Sequence, residues 1–348
     1  RKEKEERIAK ILPSALRGRQ FFFVAFSAKT RYNIDRNYQQ RKGHRMTDKE
    51  WMQLELNRMV KAEGGKVSVE RMTEIVSELN QRLRENPNLP REVNTLTADE
   101  LIARARKKTG EERYRIIKRV LRIEPENITA ACMRVEYLAR NADDRVHHYE
   151  DLTRKATARL AEEGLFAEEN IGKFWSMPQT KPYMFLRLSY LESLLAARKF
   201  RLAEKECKEM LRLSEHDGLG RRYQLMFIYA AMEEGDAAIE LYQRYEEGVA
   251  MMYLPLAMLF YRLGKMKMAR NFLKELAAVN LDTEEFFERG VRGDLPKRAP
   301  GRYAGSFAIG TMEEFGEAVT DNAFAFVGMD AFFAWGLSEL RAGVAEGA

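Results

Sequence analysis

KPYMFLRLSYLESLLAARKFRLAEKECKEMLRLSEHD, residues 181–217, is the stretch that decides the fold. In its first half Met184, Leu188, Leu191 and Leu195 fall at spacings of four, three and four, which lays one apolar stripe along a helix. Arg198, Lys199 and Phe200 make a short break. In the second half Leu202, Ala203, Cys207, Met210 and Leu211 share a face. The small Ala203 stands where two helices would cross closely, so the stretch predicts an antiparallel helix pair.

The unit recurs. RYQLMFIYAAM (222–232) is followed by Gly235 and Asp236 and then by AAIELYQRY (237–245), and LPLAMLFYRLG (254–264) is followed by KMKMARNFLKEL (265–276). Aligning the crossing residues Ala203, Ala238 and Ala269 gives intervals of 35 and 31 residues. A tetratricopeptide (TPR) unit of two helices repeats at about 34 residues. Upstream, VLRIEPEN (120–127) has the ending of such a unit, with Pro125 closing it. The Trp, Gly and Pro signature positions are mostly missing, so recurrence and periodicity carry the reading. The expected fold is all-α: a TPR-like helical-repeat solenoid over 98–280, preceded by an N-terminal helical hairpin at 46–90 and closed by a C-terminal helical cap at 281–348. Phe324, Phe326, Phe332, Phe333 and Trp335 suit that cap, because a terminal repeat has no neighbour to bury its face.

The remaining punctuation agrees. Ser68 precedes a helix with Met72, Ile75, Val76 and Leu79 inward. NPNLP (86–90) then breaks the pattern, and TADE (97–100) reads as a helix cap. GluGluGly at 162–164 stops a long helix lined by Val146, Tyr149, Leu152, Ala156 and Leu160. The segment 166–184 is unusual: Pro178 and Pro182 interrupt helices while Phe174, Trp175 and Tyr183 gather around Lys181. It reads either as a ligand anchor or as core filling at an irregular point of the array.

At 348 residues, 45% hydrophobic and 32% charged, the composition is that of a globular protein, and no apolar run approaches a bilayer span. Cys132 and Cys207 lie in apolar helical stretches and read as buried thiols, which points to the cytoplasm. The formal charge of +6 is unevenly held: residues 1–45 carry thirteen Lys/Arg and four acids, a net of +9, leaving −3 on residues 46–348. This basic extension begins without Met, and RKGHR (41–45) could be encoded by a purine-rich stretch just before Met46. It is expected to be an over-extended reading frame without a packed place, the alternative being an arm for nucleic acid or an anionic membrane.

FAEENIGKFW (166–175), TKPYM (180–184) and MLRLSEHDGLGRRY (210–223) resemble bacterial TPR proteins of the suppressor-of-tumorigenicity family. The matching positions are Phe174, Trp175, Thr180, Pro182, Tyr183, Met184, Asp217, Gly220, Arg222 and Tyr223, within a resemblance covering roughly 98–342. The chain departs at Lys181 and Phe185, where the family has Arg, and this weakens any bidentate anion contact there. The resemblance implies a helical-repeat interaction protein and supplies no catalytic residues.

The residues that could carry chemistry form no recognised signature. His44, His147, His148 and His216 are scattered without HExxH or CxxC spacing, so no metal or cofactor is expected. GlyLeuGly at 218–220 lacks the third glycine of a dinucleotide fingerprint. The expected function is therefore a non-enzymatic scaffold that binds a peptide or protein in the concave face of the array. Exposed Ser189, Glu192, Gln224, Phe227, Met258 and Tyr261 would line that groove, with Arg187 and Arg222 at its rim. Two alternatives stand beside it. One is an enzyme or small-ligand binder using Trp175, Lys181 and Tyr183 in the 166–184 loop. The other is an RNA-binding helical array, against which the net of −3 on residues 46–348 counts.

Overall fold

The computed structural model describes residues 68–86, 96–301 and 307–346, together with Gly305 and a few positions from 52 to 63. The basic extension 1–45 and the linker 87–95 lie outside the described residues. Fourteen α-helices lie wholly within them, and an isolated bridge is the extent of β-pairing there. The protein is all-α. No helix among the described residues is long and apolar enough to cross a membrane. The chain divides into two compact units that part between Ile123 and Glu124.

The first unit contains α1 (Val69–Glu85), α2 (Ala98–Arg106) and α3 (Gly110–Ile123). Their starts are written locally. Ser68 Oγ accepts from Arg71 N–H at 3.2 Å. Thr97 Oγ1 accepts from Glu100 N–H at 3.2 Å, while Glu100 Oε2 accepts from Thr97 N–H at 2.9 Å, a reciprocal capping box. Ile75 and Leu79 of α1 are fully buried, with Met52, Leu56, Met59, Val60 and Leu83 packed around them.

The second unit runs through α4 (Ile128–Leu138), α5 (Ala142–Glu162), a 3-10 turn (Glu168–Asn170), α6 (Lys181–Ala196), α7 (Phe200–Leu213), α8 (Arg221–Met232), α9 (Gly235–Tyr245), α10 (Ala250–Arg262) and α11 (Met266–Val279). Each helix packs on the next, and alternate helices also meet, α4 on α6 and α8 on α10. Ala203, Ala238 and Ala269 are fully buried in one continuous core. Leu202 is not: it stands 43% exposed. At about 100° per residue it sits a quarter-turn or more from the Ala203 stripe.

The helices differ in kind. α7, α9 and α11 each present one buried stripe, with Ala203, Cys207 and Met210 on α7 as the pattern. In α10 every residue from Ala250 to Phe260 is buried. A helix apolar all round must be covered on all sides, and the cover comes from the C-terminal segment: α12 (Thr283–Arg292), α13 (Met312–Asp321), a 3-10 turn (Ala323–Phe326) and α14 (Asp330–Glu346). Phe286 stacks on Phe315 at 4.1 Å, and Phe287, Phe332 and Phe333 complete a buried aromatic cluster. Gly336 is required by close approach, since a Cβ there would stand 2.1 Å from the Phe287 ring.

Candidate functional site

The proline-broken segment between α5 and α6 is stitched to the turn after α7. Phe174 N–H donates to Leu213 C=O at 3.0 Å and Glu215 N–H to Gly172 C=O at 2.9 Å. Inside, Phe174 and Tyr183 are fully buried and pack on Phe166 at 4.9 and 5.9 Å, so this half of the segment fills the core. Thr180 Oγ1 donates to Phe174 C=O at 2.6 Å and fixes the chain ahead of α6. Outside, Trp175 meets the edge of Phe185 at 5.3 Å, and Lys181 Nζ stands 5.0 Å over the indole. Phe185 is 47% exposed. The indole lies so close to the α7–α8 turn that a Cβ on Gly218 would stand 2.2 Å from Trp175 Cδ1.

Both arginines expected at a groove rim are buried and structural. Arg187 forms a bidentate pair with Glu206 at 2.7 and 2.8 Å, and its Nη1 donates to Tyr183 Oη at 2.7 Å. Tyr183 Oη meets Thr157 Oγ1 at 2.6 Å, so the network joins α5, α6 and α7. Burial pushes the Glu206 carboxyl above its usual range, and the Arg187 guanidinium pulls it back only in part. Arg222 is held between Asp217 (2.8 Å) and Glu247 (3.0 Å), with Tyr223 Oη donating to Glu247 at 2.7 Å. Asp217 also accepts from the Arg221 and Arg222 N–H groups at the start of α8. Asp217, Arg222 and Tyr223 thus lock one inter-helix turn to another.

Three further groove residues are also not exposed. Phe227 and Met258 are fully buried and Gln224 nearly so. The C-terminal segment covers them: Phe326 packs on Phe227 at 5.8 Å, and Gln224 Nε2 donates to Asp321 C=O at 3.3 Å. Tyr261 is half-buried between Phe332 (5.4 Å) and Trp335 (5.1 Å). The groove expected along α8 and α10 is filled by the chain itself. The interacting residues are too far apart in sequence for periodicity to show it, 97 positions between Gln224 and Asp321.

What stays open lies on α6. Phe185, Ser189, Glu192 and Ala196 recur at helical spacing and form its solvent-facing stripe, Ser189 half-buried and the other three exposed. Glu192 has a double character. Its side chain reaches solvent, yet enclosure by protein pushes its carboxyl above the usual range, against the pull of Arg221 and with the push of Asp321 and Glu136. The charges that act on it stand on three other helices, Glu136 on α4, Arg221 on α8 and Asp321 on α13. Arg221 is held by Gln224 and by Leu219 C=O, and Asp321 by Arg298. The stripe therefore joins two features that the sequence separated: the Trp175–Phe185–Lys181 cluster at one end and the Glu192 carboxylate at the other, seven residues or about 10 Å apart.

The carboxyls pushed above their usual range lie outside the 166–184 loop, on Glu192, Glu206, Glu314 and Asp321. Cys132 and Cys207 are free thiols, and burial pushes Cys132 up to about 12, far from a reactive thiolate. Among the described residues no group of His, Cys, Asp and Glu could hold a metal ion. Compared with known proteins, the chain matches no family model, no curated protein and no solved structure.

Proposed function

We propose that this protein is a TPR-like, non-enzymatic scaffold that binds an extended peptide along the outward stripe of α6. The observation that carries the reading is Glu192, an exposed carboxylate whose neighbouring cations, Arg221 and Arg298, are bonded to other groups. A peptide cation that meets it gains a charge partner partly desolvated by the protein around it. At the other end, exposed Phe185 on half-buried Trp175 offers an aromatic platform of the kind that anchors interfaces. An extended chain advances about 3.3 Å per residue, so the two features suit a ligand with an apolar residue and a Lys or Arg about three positions apart. The helix pairs, the buried small residues at 203, 238 and 269 and the family-like turns support the repeat assignment.

A displayed peptide library selected on the full chain tests this. Enriched peptides should share the apolar–cationic spacing, and Glu192→Lys and Phe185→Ala should each weaken them at least tenfold. Trp175→Ala abolishing capture while Glu192→Lys leaves it intact would move the site to the loop alone. Peptides without a cation would remove the assignment of Glu192.

A further inference from the structure

Charge is distributed in the first unit in a way that the average over residues 46–348 conceals. Residues 98–123 hold nine Lys/Arg and four acids, a net of +5, whereas residues 124–348 sum to −7. The four acids are all near helix starts: Asp99 and Glu100 open α2, and Glu111 and Glu112 open α3. From Arg113 to Ile123 there is none. In that stretch Arg115, Lys118, Arg119 and Arg122 are exposed and fall within a sector of about 100° running about 10 Å along the helix. Ile117 and Val120 are buried on the other side. Arg115 is 75% exposed and reaches Glu111 only at 3.7 Å, while Lys118 Nζ lies 4.5 Å over the Tyr114 ring. Arg104, Arg106 and Lys107 add exposed cations at the end of α2.

We infer that the α3 stripe is a contact for the phosphate backbone of a nucleic acid. Cations repeating roughly once per helical turn on an exposed face can neutralise successive phosphates and release their counterions. Tyr114, half-buried with Lys118 over its ring, sets an aromatic edge beside these cations. An anionic membrane fits less well, because an in-plane helix needs an apolar face to insert. The apolar face of α3 is turned inward, and Ile123 is its one strongly exposed apolar side chain.

The test measures anisotropy of a labelled oligouridylate with the full chain, its triple variant R115Q/K118Q/R122Q, and a control triple R154Q/K155Q/K205Q on α5 and α7. Circular dichroism confirms that each variant keeps its helices. Loss of three phosphate contacts should flatten the slope of log affinity against log salt by about 2 and weaken binding at low salt about tenfold or more. The control should bind like the wild type. Three results overturn the inference: no binding by the wild type at about 50 mM salt, equal binding by wild type and α3 triple, or equal loss in both triples. The second would assign affinity to the +9 segment 1–45. Stronger α3-dependent binding to phosphatidylserine vesicles or polyglutamate than to RNA would assign the stripe to a membrane or an acidic protein instead.

Discussion

Single residues set the strictest conditions on this fold. Gly218 is one, because its missing side chain makes room for the Trp175 indole. Gly218→Ala should displace that ring, costing about 1–3 kcal/mol by overpacking, and should weaken peptide binding by loosening the platform under Phe185. A thermal melt and the library-derived peptide read the two effects together. Glu314 is another. It is 1% exposed, and it accepts from Gly310 N–H at 2.8 Å and Asn280 Nδ2 at 3.2 Å, fastening the start of α13 to the turn after α11. Burial pushes its carboxyl up to about 7. The folded chain therefore holds an extra proton between the unfolded value near 4.5 and about 7. Stability from this group is full below that window, falls as pH rises through it, and is flat above, by about 3 kcal/mol in all. Glu314→Gln should remove the dependence. Urea unfolding at pH 5 and pH 8 should show the variant gaining on the wild type at the higher pH, and an equal difference at both would contradict the assignment.

At the scale of elements, helix starts and crossings were legible because their chemistry is local. Thr97 with Glu100, Ser68 with Arg71 N–H and the buried small residues at 203, 238 and 269 all act within a turn or a pair. Replacing Ala203 with Leu should cost about 1–3 kcal/mol, since a crossing with no free volume must spread. An unchanged melting curve would mean that the crossing lies elsewhere. Exposure of the α8 and α10 faces was not legible. Alternating helices marked Phe227 and Met258 as groove positions by period alone, and period cannot say what returns to cover a face. The clue available was α10 itself, apolar on every side and so in need of cover. Trp175 and Lys181 were harder to join to the groove positions Ser189 and Glu192, because Pro178 and Pro182 mark 166–184 as a loop. Of that cluster only Phe185, the residue that links the two, lies on the α6 stripe. The helix that begins at Lys181 places Phe185 and Glu192 on one face.

Across the whole molecule, composition described a basic protein with an acidic body, and the distribution within that body was lost in the average. The second unit is acidic, and the exposed stripe of α6 carries the Glu192 carboxylate. The first unit carries a basic hairpin. The central claim is that Glu192 receives a cation from a bound peptide, and a double-mutant cycle tests it most directly. Glu192→Gln is paired with Lys or Arg to Gln in the selected peptide, and the four dissociation constants are measured by calorimetry. A direct contact predicts a coupling of about 0.5–3 kcal/mol. Losses that add within about 0.3 kcal/mol would contradict it, because the two charges would then not meet.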